Sequence, residues 1–384
     1  MIITGYEFLG DKPFSDVYFT SILRDESGKK LSKSLGNSPD PFDLFEEYGT
    51  DAVRFGVMLM APQGLDVLFS KDRLEIGRNF MNKLWNACRF VDMNKPSGWN
   101  DKELKASQRL ELADKWILNR LERAIKNYNN QIERFHFNES AKVLYDFIWN
   151  DFCDWYIEIA KTRFYSEYSD SKVSTYNTCV KCIRIILPLL HPYTPFITEE
   201  LWSYFKDKDQ PDLIISSWPE QKSEFDLKID NEMEILQGII SSVRAIRSRM
   251  NIPPSKKIDL KVKCSDSQSD FIANNSQFII TLAKLESYES SESMQKPSQS
   301  AASVIHGMEI YVPLEGLVDL DKERSLLLKR KTKIKELLIV IEKKLLNDKF
   351  IDNAPLKVVE GEKEKEITLK DELEKINSNL GMLS

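Results

Sequence analysis

Apolar and aromatic residues recur every three or four positions over most of the chain between Lys71 and about Phe205. This spacing places them on one face of each helix, and several helices of this kind bury their faces against one another as a bundle. We therefore interpret most of these aromatic side chains as core packing. The clearest positions are Phe80, Met81, Leu84, Trp85 and Cys88, then Trp116, Ile117, Leu121 and Ile125, then Leu144, Ile148, Phe152, Trp155 and Tyr156.

The stretches on either side of the bundle follow other patterns. Residues 1–70 mix short β-like runs, such as Asp16–Thr20, with Gly, Pro and Ser, which is typical of the tail of an α/β domain. Residues 221–318 predict a small α+β module, with a loop rich in Ser and Gln between Ser290 and Ser300. Its predicted elements are a helix over 231–250, a strand over Ile258–Val262, a helix near Phe271–Leu282, and strands over Ala302–Ile305 and Met308–Val312.

The last stretch, residues 319–384, has coiled-coil spacing. Two segments with apolar residues at intervals of mostly three and four flank a short Asn/Pro break, and Pro355 suits the first position of the second helix. The pattern predicts an antiparallel helical hairpin. The apolar positions are Leu327, Ile334, Leu338, Ile341 and Leu345, then Leu369, Leu373, Ile376 and Leu380.

These patterns together predict a mainly α-helical protein in four parts. The parts are residues 1–70 (the remnant of an α/β domain), 71–220 (the helical bundle), 221–318 (the α+β module) and 319–384 (the coiled-coil hairpin).

Composition narrows the class of protein. The chain has 384 residues, of which 30% are charged and 42% hydrophobic, and a net charge of −6. Any RNA-binding site must therefore come from local patches. Neither a membrane span nor a signal peptide is expected, and five scattered cysteines favour the reducing cytoplasm. Cys179 and Cys182 are interpreted as buried structural residues, with no metal site expected.

The sharpest chemical signal is the segment Gly28–Asn37. Lys30 and Lys33 lie three positions apart, and Ser32 and Ser34 alternate with them. Such a loop can bring two ammonium groups and two hydroxyl donors onto a polyphosphate, whose charge grows when a carboxylate attacks the α-phosphate. A solvated Lys/Ser surface loop is the alternative for so short a match. The helix start at Asp40-Pro41 that follows favours the polyphosphate loop.

Lys30-Leu31-Ser32-Lys33-Ser34 resembles the Lys-Met-Ser-Lys-Ser signature of the class I aminoacyl-tRNA synthetases, with Leu31 in place of Met. The resemblance covers nearly the whole chain. The bundle motifs resemble the anticodon-binding bundle of the isoleucine, valine and leucine branch. These motifs are the segments 78–90, 114–118, 152–158 and 191–202.

The C-terminal third favours the valine-specific members of that family. The segments 250–257 and 350–355 resemble them. Isoleucine-specific members commonly end in a cysteine-rich zinc module whose ligands are absent from this sequence, and leucine-specific members end in a different small domain. The isoleucine branch remains the alternative.

The resemblance implies a ligase that joins valine to its tRNA with ATP and Mg²⁺ and acts as a monomer. It implies catalytic roles for Lys30 and Lys33, and ATP contacts by these two lysines with Ser32 and Ser34. The candidate tRNA-binding residues of the bundle are Arg78, Lys83 and Arg89, with Phe80 and Phe90 either as stacking partners or as core residues. Those of the C-terminal arm are Lys329, Arg330, Lys331, Lys333 and Lys335, for which a solvated coiled-coil face is the alternative.

Two parts of the family's machinery are missing from these 384 residues. The three histidines, His136, His191 and His306, lie outside any His-x-Gly-His element, and no segment matches the hydrolytic editing domain. We therefore expect the chain to be inactive alone and to bind no cofactor by itself. Two hypotheses remain, a portion of a ligase and a tRNA-binding module without catalysis, with an oligomerising coiled coil as a weaker third.

Overall fold

The computed structural model describes residues 1–60, 64–100, 110–165, 169–317, 320–346 and 356–382. It is mainly helical, as the sequence predicts. The chain divides into two compact units, Met1–Asn231 and Glu232–Ser384. The predicted division into four parts therefore stays a prediction.

The N-terminal unit begins with a short helix, α1 (Ile2–Leu9), and two strands, β1 (Leu23–Arg24) and β2 (Val67–Leu68), which pair in parallel. The prediction of a β-like run over Asp16–Thr20 is wrong, because these residues form no strand. A β-rich composition gives a strand only where a neighbouring strand supplies hydrogen bonds, and none does so within the described residues.

Helices make up the rest of this unit, and each buries one face as the periodicity predicts. A π-helical stretch, Phe147–Tyr156, lies between the helices that end at Asp146 and begin at Ile157, and a single 3₁₀ turn, Leu213–Ile215, lies near the end of the unit. The helices are α2 (Pro41–Tyr48), α3 (Thr50–Met60), α4 (Lys71–Met93), α5 (Leu112–Glu133), α6 (Phe137–Asp146), α7 (Ile157–Phe164), α8 (Ser169–Leu190) and α9 (Pro195–Phe205).

Close packing of α3 on α4 joins the first 60 residues to the bundle. A Cβ atom at Gly77 would lie 2.2 Å from the carbonyl oxygen of Ala52, so only glycine permits this approach. One turn further along, the rings of Phe55 and Phe80 stack with their centroids 4.7 Å apart. Asp51 strengthens the join because its carboxylate accepts the amide of Ile197 at 2.6 Å, at the start of α9.

A buried charge lies in the middle of the bundle. Asp114 and Tyr156 are fully buried, and Arg163 is nearly so. Nη1 of Arg163 donates to both carboxylate oxygens of Asp114 at 2.7 and 2.8 Å, and the Tyr156 hydroxyl donates to Oδ1 at 2.7 Å. A buried carboxylate is tolerated only with such partners, so this network fixes α5 against α7.

The C-terminal unit contains most of α10 (Leu227–Arg249) and a four-stranded sheet in the order β4-β3-β6-β5. The strands are β3 (Ile258–Lys263), β4 (Leu285–Ser291), β5 (Ser300–Ile305) and β6 (Met308–Pro313); β3 pairs with β4 in parallel and with β6 antiparallel, and β6 pairs with β5 antiparallel. Three of these strands were predicted. The fourth, β4, was missed because most of its residues are polar, and it takes the start of the predicted Ser/Gln loop.

Two short helices, α11 (Asp266–Asn274) and α12 (Ser276–Ala283), replace the single helix predicted near Phe271–Leu282. The C-terminal residues form two long helices, α13 (Leu320–Leu345) and α14 (Leu356–Met382). Ile334, Leu338 and Ile376 are buried between them, and Leu369, Leu373 and Leu380 pack against this cluster. Six of the nine predicted apolar positions therefore meet, whereas the Asn/Pro break and Pro355 lie outside the described residues.

The cysteines are all buried free thiols, as predicted for Cys179 and Cys182. Burial raises the pKa of both of these thiols. His306 lies in a turn with a φ of 46°. Nδ1 of His191 shares a hydrogen bond of 2.8 Å with the Thr198 hydroxyl. Both histidines are therefore interpreted as structural residues. Across the described ranges, no helix combines the length and apolar character that a membrane crossing requires.

Candidate functional site

The lysine-rich segment forms a tight hairpin at the end of β1. The amide of Asp25 donates to the carbonyl of Lys29 at 2.8 Å, and the amide of Leu31 donates to the carbonyl of Leu23 at 3.0 Å. Gly28 supplies the left-handed conformation (φ 81°) that the turn requires. Lys30 lies on the returning arm, where its side chain is exposed.

One carboxylate organises the inside of this hairpin. Oδ1 of Asp25 accepts the hydroxyl of Ser27 at 2.7 Å and the amide of Lys29 at 2.9 Å, and Oδ2 accepts Nδ2 of Asn37 at 2.8 Å. The hydrogen bonds from Ser27, Asn37 and Lys29 lower the pKa of Asp25 to about 2. The carboxylate is therefore ionised at neutral pH and holds both ends of the loop.

The second lysine follows a turn that Asn37 fixes. Oδ1 of Asn37 accepts the amide of Ser32 at 2.9 Å, and a 3₁₀ turn, Lys33–Leu35, comes next. The hydroxyls of Ser32 and Ser34 share a hydrogen bond at 2.7 Å, whereas the side chains of Lys33 and Ser34 are exposed. The loop thus presents two ammonium groups and a pair of hydroxyls to solvent from a hydrogen-bonded backbone, which is an arrangement suited to a polyphosphate.

Arg24 anchors the hairpin to β2. Its Nε donates to Asp66 at 2.7 Å, and its Nη1 donates to the carbonyl of Gly28 at 3.1 Å. The guanidinium therefore links the loop turn to the segment that leads into α4.

The three candidate cations on α4 do not form one site. Arg78 and Arg89 lie eleven positions apart on the helix, which separates them by about 16 Å along its axis. Arg78 lies over the ring of Tyr48, with 5.5 Å between its Cζ atom and the ring centroid, in a cleft of 360 Å³ that also includes Asn82 and Phe196.

Lys83 is engaged by its neighbours. Its ammonium lies 2.5 Å from Oδ1 of Asp154 and 3.7 Å from the ring centroid of Trp149. Arg89 is exposed near the end of α4. Lys83 would have to leave its ion pair to reach an RNA phosphate, so Arg78 and Arg89 are the better placed of the three.

The suggested stacking role of Phe80 is wrong. Its ring is fully buried between Phe55 and Tyr145, the latter at 5.1 Å, and no base can reach it. Phe90 is half-buried, with its edge against Phe164 at 5.7 Å and part of the ring accessible. It stays a candidate.

The basic residues of the C-terminal arm surround α13 on several sides. At 100° per residue, Lys329 and Lys333 fall on one flank of the buried stripe that contains Ile334, and Lys335 falls on the other. All three are exposed, as is Arg330, and Lys331 is half-buried. These basic residues are close in sequence but lie on different sides of the helix, which allows contact with phosphates from more than one direction.

Three family models match the chain. Residues 1–70 match the tRNA synthetases of class I (I, L, M and V), and residues 114–263 match the anticodon-binding domain of tRNA ligase. Residues 319–384 match the valyl tRNA synthetase tRNA binding arm.

Curated relatives decide the branch. The valine–tRNA ligases of Bacillus cereus and Fusobacterium nucleatum are 37% and 39% identical to this chain over 385 and 386 residues, which cover 100% and 99% of it. This chain belongs to the valyl-tRNA synthetase family. Its members in these two organisms are more than twice as long, because the chain spans 44% and 43% of their lengths.

Among solved structures, a leucyl-tRNA synthetase from Agrobacterium radiobacter, in a ternary complex, is 21% identical and has a TM-score of 0.42. The alignment covers 58% of this chain and 26% of that protein. A likeness of this size adds nothing to the assignment to the valyl-tRNA synthetases.

The residues that hold the valyl-tRNA synthetase loop in place were missed by sequence reasoning. Asp25 and Asn37 flank the lysines, and Arg24 with Asp66 ties the hairpin down, yet only the lysines and serines were singled out. A signal was present, because Asp followed by Ser and Gly predicts an Asx turn. The pairing of Asp25 with Asn37, which are twelve positions apart, is visible only in the fold.

We expect Asn37→Ala to loosen the loop. The amide of Ser32 loses its acceptor, and a hydrogen bond of about 1 kcal/mol corresponds to roughly fivefold faster hydrogen exchange at that amide. The pKa of Asp25 should rise from about 2 toward its ordinary value of 3.8. Because the pKa of Asp25 is lowered in the folded loop, its carboxylate stabilises the loop at pH values above the ordinary pKa. This stabilisation is lost as the pH falls through the lowered pKa, so the variant should lose loop order at a higher pH than the unaltered chain.

Amide exchange and a carboxyl-carbon NMR titration of Asp25 would measure both effects. Ser38→Ala, which changes an exposed neighbour of Asn37, is the matched control and should alter neither. Unchanged exchange at Ser32 in Asn37→Ala would show that the loop is held by its backbone alone.

Proposed function

We propose that this chain supplies two parts of valine–tRNA ligation, the loop that meets the pyrophosphate of ATP and the surfaces that bind valine-specific tRNA. The full reaction also uses valine, ATP and Mg²⁺. Lys30 and Lys33 would stabilise the charge that develops on pyrophosphate while valine is activated, and Ser32 and Ser34 would donate to its oxygens.

The observation that carries this proposal is the loop itself, in a chain aligned over its whole length with valine–tRNA ligases. Asp25 and Asn37 hold the backbone so that the ammonium groups of Lys30 and Lys33 face solvent. A module that only bound tRNA would have no use for a built polyphosphate loop, and this favours the ligase over the stand-alone binder.

The bundle and the arm would share tRNA recognition. Arg78, Lys83 and Arg89 are proposed for the bundle, with Phe90 as a stacking surface for an unpaired base. We propose that α13 and α14 form a coiled-coil hairpin. Lys344 lies 3.5 Å from Glu362, and Lys370 lies 3.4 Å from Glu342, so the paired positions run in opposite directions along the two helices. The arm cations would contact phosphate and sugar, which adds affinity without reading sequence.

We expect the 384-residue chain to bind valine tRNA and to show no valine-dependent ATP–pyrophosphate exchange. Exchange requires the His-x-Gly-His element and the amino-acid pocket, and the sequence contains no such element. Filter binding with valine tRNA and a labelled pyrophosphate exchange assay would measure the two properties on one preparation.

Exchange above background that disappears in Lys33→Ala would contradict the second expectation and would assign full activation to this chain. Failure to bind any tRNA at low salt would contradict the proposed function itself. A full-length valine–tRNA ligase from one of the relatives is the positive control for both assays.

A further inference from the structure

A basic cleft lies in the N-terminal unit. It has a volume of 730 Å³, which lies in the range of small-molecule sites, and it opens between the segment after α4, the face of α8 and the end of α9. Its walls come from residues 95–100, from Tyr176 to Arg184, and from residues 204–208.

Basic residues outnumber acidic ones in the lining of the cleft. Among the described residues that line it, Lys95, Arg184, Lys206 and Lys208 are basic and Asp207 is acidic, and the carboxylates of Glu200 and Asp212 contact the lining residues Tyr204 and Lys206. Lysine side chains in such a lining can attract an anion.

Two of the cations are already oriented by the fold. Nε of Arg184 donates to the carbonyl of Phe205 at 2.6 Å, and Nζ of Lys206 donates to Asp212 at 2.9 Å. The side chains of Lys95 and Lys208 are exposed at the rim and remain able to move toward a ligand.

The cleft also has aromatic walls. The indole of Trp99 is fixed, because its Nε1 donates to Asn177 at 2.6 Å and its ring lies 5.0 Å from that of Tyr176 in an edge contact. The Nζ atom of Lys95 lies 5.1 Å from the Trp99 centroid. A second ring, that of Tyr204, is 52% exposed at the rim.

Acidic groups lie beside the ring of Tyr204 and affect the pKa of its hydroxyl. Its hydroxyl donates to Glu200 at 3.1 Å, and this hydrogen bond, with the charges of Glu200 and Asp92, raises the pKa of the phenol. Glu200 holds the hydroxyl in place, and the exposed face of the ring stays available for stacking.

We propose that this cleft binds one unstacked nucleotide of a single-stranded RNA segment. The base stacks on the ring of Tyr204, and Lys95 and Lys208 contact the adjoining phosphates. An aromatic plane beside basic groups is the combination that proteins use for unpaired RNA bases. The inference rests on the proposed function, since it takes the RNA to be tRNA, and it adds a nucleotide subsite outside the cations of α4.

The test compares variants of the full chain by fluorescence anisotropy with a labelled anticodon stem–loop of valine tRNA. Tyr204→Ala should weaken binding by about tenfold, the usual loss for one stacked base, whereas Tyr204→Phe keeps the ring and should bind normally. The pair Lys95→Gln and Lys208→Gln should weaken binding and make it less dependent on salt. Lys115→Gln with Lys142→Gln, two exposed lysines on α5 and α6, is the matched control.

Two further probes distinguish the other ligands that could offer a base or a phosphate to this cleft. AMP tests a free mononucleotide, and a blunt RNA duplex tests phosphate contacts without an unpaired base. We expect AMP to bind much more weakly than the stem–loop, and the Tyr204 variants to bind the duplex equally.

Normal stem–loop affinity in both Tyr204→Ala and the double lysine variant would overturn this inference and leave the proposed function intact. AMP binding as tight as that of the stem–loop would also overturn it and would make the cleft a mononucleotide site. No RNA binding by the unaltered chain would overturn the proposed function and the inference together.

Discussion

Lys33→Ala, made in a full-length valine–tRNA ligase that contains this sequence, should slow valine activation by a factor of about 10²–10³. The ammonium group of Lys33 lies on the exposed side of the 3₁₀ turn, where it can meet the pyrophosphate as its charge grows. An interaction made mainly in the transition state lowers the rate when it is removed and leaves ground-state binding of valine nearly unchanged. The corresponding cost is about 2.7–4 kcal/mol.

Pyrophosphate exchange at saturating ATP, with the valine concentration varied, separates these two effects. Lys29→Ala is the matched control, because Lys29 is also exposed in the hairpin and its contact with Asp25 is made by the backbone amide. Its activation rate should stay close to normal. A Lys33→Ala enzyme with a normal activation rate and weakened valine binding would remove Lys33 from the pyrophosphate site.

The same experiment on Lys30 probes the geometry of the loop. Lys30 is part of the returning arm of the hairpin, and Lys33 follows the Asn37 contact, so the two ammonium groups approach a ligand from different parts of the loop. Asn37→Ala should lower the effect of both lysines at once, since it releases the turn between them. A positioning role of this kind also shifts the pKa of Asp25, which a direct ligand contact would not.

Periodicity predicted the bundle well because helical packing is a local pattern repeated many times. Phe80, Trp116 and Ile148 fall on buried faces for the same reason. Periodicity could not predict that Asp114 is buried, since its partner Arg163 is 49 positions away and the ion pair depends on two helices meeting. Nor did it find β4, because this strand is defined by its hydrogen bonds to β3 and not by an apolar pattern in its own residues.

The candidate site was predicted in part. Residue types and spacing identified the lysines and serines of the loop, because that chemistry is contiguous in sequence. The contacts that hold it were beyond reach, as were the neighbours that engage Lys83, since Asp154 is 71 positions away. The same limit applies to the basic cleft, which takes its walls from three separate stretches and has no sequence signature.

Removing residues 319–384 should weaken the binding of many tRNAs about equally, by tenfold or more at low salt. The basic side chains of α13 lie on several sides of the helix, and we expect them to contact phosphates whose positions are similar in every tRNA. The slope of log affinity against log salt should become shallower by roughly 0.7–0.9 for each phosphate that the shortened chain no longer neutralises. Filter binding across a salt series, with valine tRNA and an anticodon-swapped tRNA, measures affinity, slope and preference together.

A subtler variant separates charge from structure. Changing five of the basic residues of α13 to glutamine keeps a good helix former at each position and leaves the apolar cluster of Ile334, Leu338 and Ile376 in place. The residues changed are Lys329, Arg330, Lys331, Lys333 and Lys335. Most of the weakening produced by the deletion should appear here too, whereas Lys363→Gln on α14 and Lys296→Gln between β4 and β5 serve as matched controls with little effect.

The preference for the valine anticodon should survive both changes, because the bundle residues proposed to read it lie in the N-terminal unit. These residues are Arg78, Lys83, Arg89 and Phe90. Phosphate contacts and base contacts are therefore separable by two measurements on the same variants. If the truncated chain keeps its affinity and its salt slope, α13 and α14 have a structural role only. If the slope stays but the preference falls, the arm reads sequence and the bundle does not.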